Sequence, residues 1–438
     1  MESLGTVVIV GRPNVGKSTL FNRLIGRRKA LVHDQPGFTR DRNVALVVRE
    51  DRPIQIVDTG GILGESEDLL ATLVEEQVNL AVAGGDRVLL MVDAKEGLLP
   101  LDREIALRLR KAGKATALVV NKVDVPGHLP RGMEFHELGM DQIFFVSAEH
   151  ALGLDQLWEY ILEGMPTPAE PPAASPGEAI RVAIVGKPNA GKSSILNRIL
   201  GEERALVSEI PGTTRDPVDV PLSLDGQNFL LVDTAGIRRK SRSAQAAEVL
   251  SVILARRSLE QCHVALLILD ASGMPTHQDA HIAGLIEASL RGAVVVLNKW
   301  DLVGDPERAK ELEETVAERF SFIGWMPTIR TSARTNRHTD KLLPAVARVY
   351  RNFSQQFPTA TLNKNLEKIV RAVSPPSVGG KEFKIRYVTQ TGSAPPILTL
   401  FTNSRFPPPD AYHRYLKNRI RECYDLEGSP LVLKYRKE

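Results

Sequence analysis

Cysteine is nearly missing: 438 residues hold only Cys262 and Cys423, far apart and outside any CxxC or Cys/His cluster. That gives no sign of a disulfide framework or of a zinc site, and we expect both to be ordinary, largely buried thiols. Long apolar runs are missing too, since none approaches the ~20 residues a membrane helix needs. A strand-like run starts at Thr6 with no leader pattern before it. The expectation is a soluble, cytoplasmic protein. Aromatics make up 5% of the chain, yet 10 of the 23 fall in residues 351–438. The net charge of +3 hides a similar imbalance, because that stretch carries 15 Lys+Arg against 7 Asp+Glu. Basic and aromatic together fit nucleic-acid binding, although a small domain with an aromatic core has the same composition.

What is present is a repeat. Gly11-Arg12-Pro13-Asn14-Val15-Gly16-Lys17-Ser18 recurs as Gly186-Lys187-Pro188-Asn189-Ala190-Gly191-Lys192-Ser193. Pro36-Gly37-Phe38-Thr39-Arg40-Asp41 recurs as Pro211-Gly212-Thr213-Thr214-Arg215-Asp216, and Asp58-Thr59-Gly60-Gly61 as Asp233-Thr234-Ala235-Gly236, all at an offset of 175. Asn121-Lys122-Val123-Asp124 returns as Asn298-Lys299-Trp300-Asp301, and Ser147-Ala148 as Ser332-Ala333. Short β-branched runs alternate with helical patterns in both copies, so each is read as an α/β domain with a mostly parallel sheet and helices on both faces. Every motif falls at the C-terminal end of such a run, where open α/β sheets bind ligands.

The expected organisation is a first α/β domain at 1–163, a Pro-rich linker at 164–179, a second α/β domain at 180–350 and a small α+β unit at 351–438. In that last unit the pattern predicts the order helix, strand, strand, helix, strand.

The chemistry of the motifs points to GTP. A GxxxxGK[ST] loop between a strand and a helix wraps backbone N–H groups around phosphates, with Lys17 or Lys192 reaching the β- and γ-oxygens. Candidate phosphate contacts are Gly11, Asn14, Val15, Gly16, Lys17, Ser18, Thr19 and Gly61, with Gly186, Asn189, Ala190, Gly191, Lys192, Ser193, Ser194 and Gly236 in the second copy. Candidate Mg²⁺ ligands are Ser18, Thr39 and Asp58, then Ser193, Thr214 and Asp233. Asp124 and Asp301 can each accept two hydrogen bonds from guanine, a donor pair adenine lacks. Asn121 and Asn298 can bond the base and brace the loop, the stems of Lys122 and Lys299 can lie on the base plane, and backbone N–H groups near Ser147-Ala148 and Ser332-Ala333 can meet the guanine oxygen.

These motifs in tandem, with the phrases Asp233-Thr234-Ala235-Gly236-Ile237-Arg238-Arg239-Lys240 and Tyr415-Leu416-Lys417-Asn418-Arg419-Ile420-Arg421-Glu422, resemble the bacterial EngA (Der) family of Era-like GTPases over essentially the whole chain. The resemblance implies a GTPase assisting maturation of the large (50S) ribosomal subunit, with a KH-like third domain that contacts rRNA or the second GTPase domain. Two G domains in one chain suggest a monomer. The competing reading is a GTP-regulated RNA-binding scaffold with little need for turnover.

Where Ras-like GTPases place a water-orienting glutamine after DxxG, this chain has Ile62 and Ile237. Resemblance to GTPases with such hydrophobic replacements suggests K⁺ near the phosphates, held by Asn14 and Asn189; simple bracing of the loop by these asparagines is the alternative. The segment after the second DxxG, Ile237 to Arg242, is basic where the first is acidic (Glu65, Glu67, Asp68). In the last domain Tyr412, Tyr415, Leu416, Ile420 and Cys423 repeat at helical spacing and should face the core. Arg414, Lys417 and Arg421 form a separate basic stripe, either a solvated face or a set of RNA contacts. No GxxG follows residue 351, so the usual KH clamp on a nucleic-acid backbone is missing.

Overall fold

In a computed structural model of the chain, the structure describes residues 5–26, 44–49, 52–60, 70–124, 133–163, 165, 179–201, 206–207, 219–234, 244–377 and 382–438. Thr39, Gly61, Ile62, Thr214, Gly236 and Ile237, both segments following the DxxG motifs, and nearly all of the Pro-rich stretch lie outside them. The described residues group into two compact units, one within Met1–Glu170 and Arg239–Arg257, the other within Pro171–Arg238 and Ser258–Glu438.

The first unit is built on six strands: β1 Gly5–Val10, β2 Val44–Arg49, β3 Arg52–Asp58, β4 Arg87–Asp93, β5 Thr116–Asn121 and β6 Gln142–Phe145. Their order is β2-β3-β1-β4-β5-β6, parallel apart from β2, which runs antiparallel to β3. β1 reads Gly-Thr-Val-Val-Ile-Val and is buried at every position, as a central parallel strand covered on both faces must be. Alternate residues feed two cores. Val8, Val10, Val88, Leu90 and Val120 pack with residues of helices Leu70–Gly84 and Pro100–Lys111. Val7, Ile9, Leu89, Met91 and Val119 pack with helices Lys17–Ile25 and Leu154–Glu163. Helix Pro100–Lys111 starts where its sequence says it should, with Pro in the first turn and Asp102 accepting from the Leu99 N–H at 3.1 Å.

The second unit repeats the plan with β7 Ile180–Val185, β8 Leu206–Val207, β9 Val220–Leu224, β10 Gln227–Leu231, β11 Val264–Asp270, β12 Gly292–Asn298 and β13 Thr328–Arg330. The order is β13-β12-β11-β7-β10-β9-β8, with antiparallel pairing at the β10, β9 and β8 end. The antiparallel strands β2, β8 and β9 were not anticipated from the sequence.

The same unit carries the C-terminal domain. Helix Thr359–Ala372, β14 Ile385–Ser393, β15 Pro396–Thr402, helix Asp410–Cys423 and β16 Val432–Lys437 follow in the expected order. Its loop at 425–430 is tied to the second GTPase domain by backbone bonds from Gly428 N to Trp325 O (2.7 Å) and from Ala293 N to Gly428 O (2.8 Å). Gly428 sits at φ +75°, and a Cβ there would lie 2.2 Å from Val349. Asn352 adds a bond to the Glu427 carbonyl at 2.9 Å.

This docking corrects the reading of the basic stripe as one surface. The Arg421 guanidinium donates to the carbonyls of Leu426 (2.9 Å) and Ser429 (2.7 Å) and lies over the Trp325 ring, with desolvation lowering its pKa to about 10. Lys417 is largely desolvated and feels the charge of Glu287, so of the three only Arg414 is exposed. Tyr412, Leu416 and Ile420 are buried in the domain core as expected. Cys423 is not: it ends the helix, one turn past the last buried residue, and is exposed. Cys262 is fully buried, which pushes its thiol up to about 11.

Candidate functional site

Each GTPase fold presents its motifs at the C-terminal ends of its strands. In the first, Gly11 to Gly16 links β1 to helix Lys17–Ile25, and in the second Gly186 to Gly191 links β7 to helix Lys192–Gly201. Gly16 and Gly191 share a φ of +97°, and a Cβ on either would come within 2.4 and 2.1 Å of the Asn121 and Asn298 amide nitrogens. Only glycine allows the loop to lie that close to the base-side motif. Val15 and Ala190 are buried beneath the loops, while Asn14 and Asn189 stand exposed at their heads with φ of 66° and 61°. Thr19 and Ser194 are exposed on the first helical turns.

The lysines curl back on the loops they serve. Lys17 Nζ donates to the carbonyls of Gly11 (2.8 Å) and Arg12 (2.6 Å), and Lys192 Nζ to those of Gly186 (2.8 Å) and Lys187 (2.7 Å). Desolvation lowers Lys192 to about 8, with the charge of Asp279 opposing it. Ser18 Oγ donates to Asp58 Oδ2 at 2.6 Å, while Asp58 Oδ1 accepts from the Gly60 N–H at 2.9 Å. At the second site Asp233 takes a φ of +52° and accepts from Ser258 Oγ at 3.1 Å, and Ser193 is exposed.

On the base side the two copies agree closely. Asn121 Nδ2 donates to Val15 O at 2.8 Å and its Oδ1 accepts from Ala148 N–H at 2.9 Å. Asn298 does the same with Ala190 O (2.9 Å) and Ala333 N–H (3.1 Å). The amides thus brace the phosphate loop against the Ser-Ala loop. Lys122 and Lys299 adopt left-handed backbone, and their ammonium groups reach Asn14 O at 3.0 Å and Asp270 Oδ2 at 2.6 Å. Asp124 accepts from Ser147 Oγ at 2.8 Å, and Asp301 from Ser332 Oγ at 2.6 Å.

The second oxygen of each carboxylate meets a different cation. Lys95, just after β4, pairs with Asp124 at 2.6 Å, whereas Arg334, just after the Ser-Ala motif, pairs with Asp301 at 2.7 Å. The Lys95 hydrogen bond, then that of Ser147, holds Asp124 below the usual carboxylate range. For Asp301 the Ser332 hydrogen bond leads, with Arg334 adding to it.

A family model described as "50S ribosome-binding GTPase" matches residues 6–122 and again 181–299, and one described as "KH-domain-like of EngA bacterial GTPase enzymes, C-terminal" matches 356–436. An "Elongation factor Tu GTP binding domain" model matches 252–352. GTPase Der of Syntrophotalea carbinolica is 44% identical over 434 residues, covering 99% of both chains. GTPase Der of Caldanaerobacter subterraneus subsp. tengcongensis is 41% identical over 437 residues, again covering 99% of each. The chain belongs to the GTPase Der family. A solved structure of Aquifex aeolicus Era is 22% identical, covering 76% of this chain and 93% of its own, at a TM-score of 0.32.

As a Der-family member the chain binds GTP and GDP and hydrolyses GTP. GTPases of this kind generally work with Mg²⁺. No helix among the described residues is long and apolar enough to cross a membrane.

Several residues around the two Der-family sites were invisible to motif reading. Gln77, on helix Leu70–Gly84, accepts from the Gly11 N–H at 2.9 Å and so pins the phosphate loop to the helix that follows the first DxxG. Arg12 bonds buried Asp102 at 3.2 Å and also pairs with Glu96; Lys187 pairs with Asp279 at 2.9 Å in the same way. The hint for that tie was available: Asp102 and Asp279 both stand at the third position of a helix that opens after an extended loop.

The depressed Lys192 gives a sign that can be worked out. Below pH 8 the ammonium is charged with or without nucleotide. Above it, phosphate binding requires the site to take up a proton, so affinity falls. In the Lys17→Ala protein, GDP affinity at the second site is expected to be flat from pH 7 to about 8 and then to drop with a limiting slope of about tenfold per pH unit. Calorimetry in buffers of different ionisation enthalpy reads the proton directly; no uptake above pH 8 would contradict the assignment.

Proposed function

We propose that this chain is a cytoplasmic, monomeric, GTP-hydrolysing assembly factor acting in maturation of the large (50S) ribosomal subunit, its two G domains gating an rRNA-binding surface. The observation that carries the reading is the end-to-end match to GTPase Der relatives of a chain combining two complete GTP motif sets with a basic, aromatic-rich C-terminal domain.

In this reading the phosphate loops, with Gly61 and Gly236, hold the triphosphates, and Lys17 and Lys192 leave their loop carbonyls for the β- and γ-oxygens. Asp124 and Asp301 read guanine, helped by Asn121, Lys122, Ser147 and Ala148 in the first site and Asn298, Lys299, Ser332 and Ala333 in the second. Ser18 and Asp58 fit Mg²⁺: a hydroxyl and a carboxylate converge at the end of the phosphate loop, the hard oxygen donors that magnesium prefers. Thr39 would join them, and Ser193, Thr214 and Asp233 would serve the second site. Bound there, Mg²⁺ would supply positive charge to the triphosphate; the bond that forms is between water and the γ-phosphorus, and GDP is the leaving group. Asn14 and Asn189 are the proposed K⁺ ligands, and the bound cation would supply the positive charge that other GTPases take from an arginine. Turnover at each site, measured with the other lysine replaced by alanine, is expected to be at least about tenfold faster in K⁺ than in Na⁺. Equal rates would leave the asparagines as loop braces.

The test of the whole reading is sedimentation with purified ribosomal subunits, with GTP analogue, GDP or no nucleotide, over a salt series. Selective large-subunit binding with the analogue, weakening with salt, is the expected result. Binding to neither subunit in any state would overturn it.

A further inference from the structure

We propose that the open face of the C-terminal sheet is a platform for single-stranded RNA, on which bases stack against Tyr387 and Phe401 while Lys434 and Arg436 meet the phosphates. This deepens the ribosomal reading above and rests on it for the existence of an RNA partner.

The sheet has two unlike faces. Val388, Leu398, Leu400 and Leu433 point into a core shared with residues of helices Thr359–Ala372 and Asp410–Cys423. Strand alternation sends the other set the opposite way. Strand register places Tyr387 across from Phe401 and Phe401 beside Arg436, one row over three strands. The next row runs Thr389, Thr399, Lys434. The two rings stack, centroids 4.4 Å apart and planes 11° from parallel, and both are partly buried. Lys434 and Arg436 are exposed and have no acidic partner among the described residues.

The chemistry of this face selects its partner. A stacked aromatic pair left at the surface can be extended by one more flat ring, and any nucleobase provides one, which makes such binding tolerant of sequence. Two unpaired cations in the flanking strand match a phosphate backbone, and the domain carries 15 Lys+Arg against 7 Asp+Glu. Just beyond β15, Arg405 and Phe406 repeat the pairing of cation and aromatic, with Phe406 71% exposed. Sheets in other RNA-binding modules use aromatics in this manner, whereas the GxxG clamp of standard KH domains has no counterpart after residue 351. Of the basic stripe on helix Asp410–Cys423, Arg421 is already spent on loop carbonyls, so the sheet face is the better electrostatic match.

The experiment titrates full-length protein into a fluorescent single-stranded RNA of about ten mixed nucleotides, and into its duplex. The double variant Lys434→Glu, Arg436→Glu should weaken single-strand binding at least about tenfold and reduce the slope of log K against log salt by about 1.4. Tyr387→Ala should cost about tenfold and Tyr387→Phe little, since the ring and not the hydroxyl stacks. GTPase turnover should not change in any of them, and thermal unfolding should not change in the charge variant or Tyr387→Phe; Tyr387→Ala, which removes a ring stacked on Phe401, is assayed well below its own unfolding midpoint. Unaltered RNA affinity in the variants would overturn the platform while leaving the ribosomal reading intact. So would wild-type protein that sediments with large subunits yet binds no single strand; protein that does neither sinks both. If the charge variants change turnover instead of RNA affinity, the face docks on protein and the proposal fails.

Discussion

Asp124→Asn is expected to lower GTP affinity at the first site by about a thousandfold or more, and Asp301→Asn to do the same at the second, each leaving the other site unchanged. The carboxylate is the only group at these positions that accepts from both guanine N1–H and the exocyclic amine. Asparagine turns one acceptor into a donor that points at a donor. The pairing to Ser147 or Ser332 survives the change, because the amide oxygen still accepts, so the loop keeps its shape. What is lost besides the base contact is the charge partner of Lys95 or Arg334. The inverted pattern of the amide suits xanthine, whose second carbonyl replaces the amine, so each variant should gain affinity for xanthosine triphosphate. Equilibrium titration with fluorescent nucleotides measures both changes, and retained GTP affinity in either variant would remove that aspartate from base reading.

Lys17→Ala and Lys192→Ala are expected to cut hydrolysis at their own sites by at least about a hundredfold, the order of effect seen when one donor to a developing charge is removed. Lys17 is buried and bonded to two loop carbonyls, so its removal also leaves those acceptors without their ammonium. Stability of the nucleotide-free protein therefore needs to be measured beside turnover, to separate a collapsed loop from a lost transition-state contact. Each single variant then reports the activity of the other site. Loss of ribosome assembly with total hydrolysis unaltered would favour the scaffold reading over an enzyme whose turnover is used.

The strands that carry the motifs were legible because parallel central strands are apolar throughout and end in Gly, Asp or Asn. Strands Arg87–Asp93 and Gly292–Asn298 show it, each apolar from its second residue until the closing Asp or Asn. The antiparallel strands were harder. Val44–Arg49 pairs only with β3, and β9 reads Val-Pro-Leu-Ser-Leu, with a proline that argues against a strand when register is unknown. The motif residues themselves could be placed by number, yet their partners could not. Gln77 looks like any polar helix residue until the fold brings it to Gly11, and Lys95 and Arg334 lie in loops with no recurring pattern. Arg421 shows the converse error: its spacing marked a true helix face, but spacing carries no information about which neighbour that face will meet.

The Asn121 and Asn298 braces join three segments distant in sequence into one small truss. Its two copies hold the same four atoms at distances that differ by no more than 0.2 Å, while the cation beside Asp124 and the one beside Asp301 come from different loops. Duplication has therefore left a division of labour in the scaffold. Because each asparagine bonds both loops, moving it shifts the two together, whereas Lys95 and Arg334 sit outside that linkage and differ between the copies.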